Sequence, residues 1–481
     1  MPELNEANVR HLLRRTEFVD RPARVAHLLT LGSIGAAVDD VMDVSADPPS
    51  ASLTGDSTWR RGQAIVAHWM DQMAGARRPF AERMAFFWHG HLCSELGKVN
   101  SAPAMQEQID LFRRRGLGPA ANGGNVDELV RTMSIQIAML RYLDNVDNRA
   151  SSPNQNFARE LMELFLLGVG NYTEADVEAA TSAWTGHGQR RWDIDEYVYR
   201  DDQHHGGALA FLGRTINVGA RSNAGNEVIE VILGTGPLGA GTIPAGSPAG
   251  DRSDVVAADF LSRKLWQELG EAASGRVPSG VAAAMRSALI SNGFDIRPWV
   301  RAMLTHDDFY APATRTGLVR QPVEYAVALM VATGLGSSQT GPLWVLERTG
   351  QQLLYPPNVS GWKPNGYWVN ASAMGARQRL AQGFIWDLQR RTWSGDDRYL
   401  DLPGGRLSDE WMKASGSAEV VERVLRLTHL TDSSGSTGPA SPISDSTRRG
   451  IVGHLSHAQV HGEHRLDALL LALTAPDMHI A

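Results

Sequence analysis

The sequence predicts a mainly α, multi-helical single domain with one small β-hairpin or sheet insertion around residues 190–218. Three observations predict it. Apolar residues recur at helical spacing along most of the chain, strict alternation appears only between Arg190 and Gly219, and the one strong composition shift comes late, at 431–446.

Taken in order, "ANVRHLLRR", "RVAHLLTLG" and "IGAAVDDVMD" read as short N-terminal helices. "WRRGQAIVAHWMDQMAG" and "PFAERMAFFWHGHLCSELGK" read as longer ones. Pro79 opens the second, where its missing N–H costs nothing. "MQEQIDLFRRRGLG" and "VDELVRTMSIQIAMLRYL" follow. The helix of "SSPNQNFARELMELFLLG" ends on Gly168 as a C-cap. Thr173, three residues before Asp176, makes an approximate capping box for "TEADVEAATSAWTG".

"RRWDIDEYVYRDDQHHGGALAFLGRTINV" alternates and is rich in Tyr, Val and Ile, so it reads as a hairpin with "HHGG" at or near its turn. Helices resume at "NEVIEVILG" and continue through "SDVVAADFLSRKLWQELG", "VAAAMRSALISNG", "RPWVRAMLTH", "PVEYAVALMVATGL" and "ASAMGARQRLAQGFIWDLQRR". "HRLDALLLALTAPD" is the last helix. The organisation expected is a helical domain over 1–430, a low-complexity linker at 431–446, and C-terminal helices over 447–481 packing on the same domain.

Composition sets limits. The chain has 481 residues, is 43% hydrophobic and carries a net charge of −7. No long Lys/Arg run is present, which argues against a nucleic-acid or anionic-membrane binder. A single cysteine, Cys93, excludes an intramolecular disulfide and Cys-based zinc sites. No apolar run is long enough for a membrane span, and the start lacks a leader-like apolar region. The expectation is a soluble cytoplasmic protein.

Four motifs carry chemistry. "FFWHGHLCSE" places His89 and His91 two residues apart, about 200° apart on a regular helix. They aim at one ion only if Gly90 distorts the helix; otherwise one is a core histidine. "ARELMEL" places Glu160 and Glu163 on one face, with Arg159 four residues before Glu163. Such carboxylates hold a divalent cation in helix bundles, or pair structurally with arginine. "RDDQHHGG" gathers Asp201, Asp202, His204 and His205 as metal or acid–base candidates, or as a solvated hairpin tip. "YPPNVSGWKPNGYW" cannot form regular structure, yet its aromatics need burial or a ligand. Trp362 and Trp368 are either a core plug or a stacking wall, and Asn358 either binds substrate or satisfies backbone groups. "GTGPLG" at 234–239 lacks the preceding strand a dinucleotide loop needs. No G-x-S-x-G, H-E-x-x-H or Walker loop occurs.

These segments, in this order, resemble the DUF1800 family of bacterial proteins over nearly the whole chain. The resemblance runs through "HLLRRTEF", "FFWHGHL" and "PNQNFARELMELFLLGVGNYTEADV", its most specific part. It continues through "SAWTGHG", "HHGGALAFLG", "FLSRKLW", "RQPVEYAVALMVATG" and "PPNVSGWKPNGYWVNASAMGARQRLA". His187 stands where the family has Trp, His205 where it has Asp, and Leu209 where it has Lys. The resemblance implies a helical protein, often exported, whose relatives are encoded beside alkaline-phosphatase-like proteins, a candidate partner. It implies no activity.

Burying Arg159, Glu160 and Glu163 unpaired would be prohibitive. The expectation is therefore one polar pocket that gathers "FFWHGH", "NQNFARELMEL" and "DDQHHGG". In it His89, His91, Glu160, Glu163 and His204 are candidate ligands of a divalent Zn, Mn or Fe ion. Arg159, Glu160, Glu163 and His204 are the candidate catalytic groups, and Asn154, Asn156, Asn358, Trp362 and Trp368 the candidate substrate contacts. The function expected is a metal-assisted hydrolase or oxidase; the alternative is a non-catalytic helical scaffold or partner-binding protein held by internal salt bridges.

Overall fold

The computed structural model describes residues 2–44, 48–76, 79–118, 124–244, 251–338, 345–393, 401–402, 405–406, 420–422, 424–425, 428, 443–457 and 462–480. Helix dominates these residues. The first helices are α1 (Glu6–Glu17), α2 (Pro22–Leu29), α3 (Ile34–Val41), α4 (Thr58–Gly75), α5 (Phe80–His91), α6 (Leu96–Val99) and α7 (Ala102–Arg115). There follow α8 (Val126–Ile135), α9 (Ile137–Tyr142), α10 (Asn156–Glu160), α11 (Glu174–Ala183), α12 (Ala224–Leu233), α13 (Ser253–Leu269), α14 (Ser279–Ser291) and α15 (Ile296–Leu304). The last are α16 (Pro312–Arg315), α17 (Pro322–Thr333), α18 (Val345–Arg348), α19 (Ala371–Trp393), α20 (Asp445–His457) and α21 (Gly462–Thr474).

Two helices form the middle of the fold because almost no face of either meets water, their few charged side chains being paired inside. Every residue of α17 is buried, and in α5 all but Gly90 are. A helix covered on every side has no face to give to water. Thus α5 is enclosed by α1, α4, α7 and α13, and α17 by α4 and α19. The buried apolar residues form one continuous cluster from Val9 to Met478. At the C-terminal end, Tyr325 Oη donates to Leu473 O (2.8 Å) and Arg320 Nη1 to Met478 O (2.9 Å). Most of the predicted linker, 431–442, lies outside the described residues. No helix among the described residues is long and apolar enough to cross a membrane.

The β insertion is two hairpins. β1 (His187–Gln189) pairs antiparallel with β2 (Tyr197–Tyr199), in register His187↔Tyr199. β3 (Leu209–Phe211) pairs with β4 (Arg214–Ile216), in register Leu209↔Ile216. The second turn is Leu212–Gly213, both at positive φ (44° and 72°), as a two-residue hairpin of right-handed twist requires. "HHGG" joins the hairpins and lies at the turn of neither. A third short pairing joins β5 (Asp401–Leu402) to β6 (Gly405–Arg406).

The Asn154–Gly168 segment also departs from a regular helix. After one α-turn it widens into a π-helix over Leu161–Leu166, closed by Leu167 and Gly168 amides that both donate to Met162 O. The capping box is present: Asp176 N donates to Thr173 Oγ1 (3.2 Å) and Thr173 N to Asp176 Oδ2 (2.8 Å).

Candidate functional site

The expected pocket does not assemble. α5 passes through Gly90 without distortion, so His89 and His91 leave it on different sides. His89 Nε2 accepts from Leu354 N (3.1 Å), which places its proton on Nδ1, and its ring meets Trp69 and Trp362 edge-on. Arg159 pairs with Glu174 in the first turn of α11 (2.9 and 2.8 Å) and not with Glu163. Glu163 instead accepts from Tyr172 Oη (2.8 Å). Glu160 is half-buried, and burial first, then Glu163, pushes its carboxyl up.

His204 sits apart in the hairpin region. Its Nδ1 lies 2.8 Å from Thr185 O and its Nε2 3.2 Å from Asn217 Oδ1. Asn154 Oδ1 accepts from Asn156 N (3.0 Å), a helix-start role, and Asn156 Nδ2 donates to Asp144 (3.4 Å). Asn358 Oδ1 accepts from Ser360 N (2.9 Å), holding its own loop. Trp368 is in the core. Among the described residues, no three His, Cys, Asp or Glu side chains gather as a metal site. The expected donors do not come together as one site for Zn, Mn or Fe: His89, Glu163 and His204 each hydrogen-bond in a different part of the fold.

What the structure does assemble is a cleft of about 90 Å³ between α5, α13, the start of α17 and the 360–364 loop. Phe86, Phe87, His91, Lys264, Glu268 and Trp362 line it. Of the sequence candidates, His91 and Trp362 are there.

The π-helix explains His91. Its Nε2 lies 2.8 Å from Phe165 O, a carbonyl of the widened turn. A carbonyl only accepts, so the proton is on Nε2 and Nδ1 keeps its lone pair. Burial first, then Lys264, pulls the imidazole down to about 3, so it is neutral at physiological pH. Phe87 stacks on the ring at 5.8 Å.

Glu268 lies four residues after Lys264, so both share one face of α13. Gln321 Nε2 donates to Glu268 Oε1 (2.7 Å), and Arg83 Nη2 lies 3.5 Å from the same oxygen. Gln321 cannot turn its amide, because its Oε1 accepts from Gln351 Nε2, whose own Oε1 accepts from Val323 N. Among the described residues, Glu268 Oε2 has no hydrogen-bond partner. Burial pushes this carboxyl up to about 7, against Arg83 and with Glu324. Burial likewise lowers the Lys264 ammonium, with Arg263 adding to it. No ion pair joins Lys264 to Glu268. Cys93 beneath is inert: burial pushes its thiol up to about 12, and its Sγ donates to Gly90 O (3.2 Å).

Trp362 is placed by two glycines. Gly361 has φ +74°, and a Cβ there would stand 2.1 Å from Gly90 O. Gly361→Ala is therefore expected to cost roughly 2–4 kcal/mol through strain and clash. Gly366→Ala, with open space at the Cβ, is expected to change stability by less than about 0.5 kcal/mol. Equal losses in denaturant unfolding would refute the glycine crossing.

Lys264, Glu268, Gln321, Phe86 and Phe87 are cleft residues that sequence reasoning missed. Lys264 and Glu268 have the spacing of an ordinary surface pair. The usable signal was that Leu265, Trp266 and Leu269 leave their helix only one polar face, and that this face includes Gln267.

The family model DUF1800, "Protein of unknown function", matches residues 11–240 and 253–480. The chain belongs to the DUF1800 family. No curated protein and no solved structure matches this DUF1800 chain. The cleft is drawn entirely from residues inside the matched DUF1800 ranges.

Proposed function

We propose that the protein is an enzyme of acid–base chemistry on a small, anionic, ring-bearing molecule bound in the α5–α13 cleft. Glu268 transfers the proton through Oε2. Lys264 attracts the anionic group, His91 Nδ1 accepts a hydrogen bond, and Trp362 supplies the stacking wall. The observation that carries this reading is the Glu268 carboxyl. It is pushed up to about 7, locked on one oxygen and open on the other, beside a lysine that does not neutralise it. A carboxyl with that affinity is both proton donor and acceptor at neutral pH, where general acid–base catalysis is most effective.

The test is a thermal-shift survey of the full chain with aromatic carboxylates, nucleoside monophosphates and uronic acids. At least one class is expected to stabilise the wild type. Lys264→Met and Trp362→Ala should each weaken that response at least tenfold. Trp362 is only half-buried, so its truncation should cost about 1–2 kcal/mol, less than a core tryptophan. A response that survives both substitutions would overturn the site.

The scaffold reading has one observation in its favour, the buried ion pairs Arg113–Glu82 and Arg83–Glu324. It expects no ligand response from any of the three classes.

A further inference from the structure

The "GTGPLG" stretch takes no part in the α5–α13 cleft, and the structure gives it another place. It follows α12, whose Asn226, Glu227 and Glu230 share one face, while Val228, Ile229 and Ile232 on the other side are buried. The helix ends on Gly234 (φ +67°), whose amide donates to Glu230 O. A helix C-terminus presents carbonyls rather than amides, so the loop is no phosphate cradle. The chain instead folds back. Gly241 N donates to Val231 O (2.9 Å) and Arg214 Nε to Ala240 O (3.0 Å), tying the far end of the loop to α12 and β4. Gly236 lies so close to Glu230 that a Cβ there would collide with Glu230 Oε2.

Between this loop, α8, α12 and the chain after β4 lies a cavity of about 350 Å³. It shares no lining residue with the α5–α13 cleft. Its polar lining is Arg131, Thr215, Asn223, Asn226, Glu227 and Glu230. Arg131 of α8 is held from two sides. Its Nε and Nη2 donate to Asp127 Oδ1 (2.5 Å) and Oδ2 (2.7 Å), and Nη2 lies 2.9 Å from Glu230 Oε1. Thr235 Oγ1, in the loop, donates to the same Asp127 Oδ2 (3.0 Å). One network thus locks α8, α12 and the loop, and the cavity is preformed. Glu227 Oε2 accepts from Asn217 N (2.6 Å). Among the described residues, Arg131 Nη1, Glu227 Oε1 and the side chains of Thr215, Asn223 and Asn226 make no hydrogen bond.

These unclaimed groups decide the ligand class. Arg131 Nη1 only donates, Glu227 Oε1 only accepts, and the two amides and the hydroxyl do both. An ammonium only donates, so it would leave Arg131 Nη1 and the amide N–H groups unmatched. An anion only accepts, so it would face Glu227 and Glu230 unpaired. Arg214, which holds the loop through Ala240 O, is not part of the lining. A hydroxyl both donates and accepts, and Val218, Pro237 and Leu238 add apolar surface for C–H groups. We propose that this cavity binds a neutral saccharide. Glu227 Oε1 accepts from one hydroxyl, Arg131 Nη1 donates to another, and Asn223 and Asn226 set the orientation. The volume falls within the roughly 300–1,000 Å³ of small-molecule sites. The site stands apart from the acid–base cleft and does not depend on it.

The test is isothermal titration calorimetry of the full chain with glucose, galactose, N-acetylglucosamine, cellobiose and chitobiose. Calorimetry is the readout because sugars raise unfolding temperatures by exclusion whether or not they bind. Saturable heat with a Kd of about 1 mM or below is expected from at least one of them. Asn226→Ala should weaken that binding by about tenfold or more. The variant should unfold at or above the wild-type temperature, because Asn226 makes no hydrogen bond to lose and alanine is the better helix former. Glu227→Gln keeps an oxygen on Asn217 N and turns an amide N–H toward the cavity, so it should weaken binding to a similar extent. No saturable heat from any of the sugars, or undiminished binding in either variant, would overturn the site. Binding of putrescine without any sugar response would also overturn it, assigning the cavity to an amine. Sugar binding lost in Lys264→Met and kept in Asn226→Ala would move the ligand to the α5–α13 cleft and overturn the proposal.

Discussion

Arg113→Ala is expected to destabilise the protein by about 3–5 kcal/mol. Arg113 on α7 is 1% exposed and grips Glu82 of α5 with both arms of its guanidinium, Nε to Oε2 at 2.7 Å and Nη2 to Oε1 at 2.9 Å. Its third nitrogen donates to Pro49 O (2.7 Å) and reaches Asp110 (3.3 Å). Truncating it leaves Glu82, itself 4% exposed, as an unpaired buried carboxylate. The penalty is that isolated charge rather than the value of the pair. The double change Arg113→Leu with Glu82→Leu should therefore recover most of the loss. Urea unfolding of the two variants checks this. A double variant no more stable than Arg113→Ala would mean that shape, and not charge, holds α5 to α7. The consequence reaches the cleft, because α5 carries Phe86, Phe87 and His91.

The helical architecture was legible because it rests on local signals. The apolar runs of α5 and α17, the Thr173–Asp176 box and Gly168 (φ +87°) each act within a turn or two of chain. The site was less legible because its decisive facts are long-range. Arg159 has Glu163 four residues ahead, the spacing of a helical pair, yet binds Glu174. The cause is the π-helix, which shifts the face on which Glu163 lies and has no sequence signature. The same widening supplies Phe165 O to His91, 74 residues away in sequence. Lys264 and Glu268 look like a solvent-facing pair until Phe86, Phe87 and Trp362 arrive from two other parts of the chain. Conversely, "DDQHHGG" looked rich in ligands, but Asp201 and Asp202 turn outward and only His204 is buried.

Glu268→Gln is expected to lower turnover of any cleft substrate by roughly 10²–10⁴-fold while leaving its binding largely intact, because the amide keeps the shape and loses the proton. The same variant exposes the carboxyl's energetics. Glu268 is raised to about 7 in the folded chain, chiefly by burial, from an ordinary value of 4.5. Between those two values the folded state therefore holds the proton more often than the unfolded state does. Its contribution to stability is fully present below about pH 4.5 and is lost as pH rises through 7. The loss is on the order of 2 kcal/mol, discounted because 17% of the side chain remains exposed. Gln321 and Arg83 act the other way, favouring the ionised form, so the site holds the carboxyl near neutrality instead of trapping it protonated. Wild type and Glu268→Gln should accordingly diverge in urea unfolding between pH 5 and pH 8, the wild type losing ground as pH rises. Beyond about pH 8 the difference should be constant. Parallel pH profiles for the two proteins would show that Glu268 titrates like an exposed carboxylate, and the acid–base role assigned to it would fall with them.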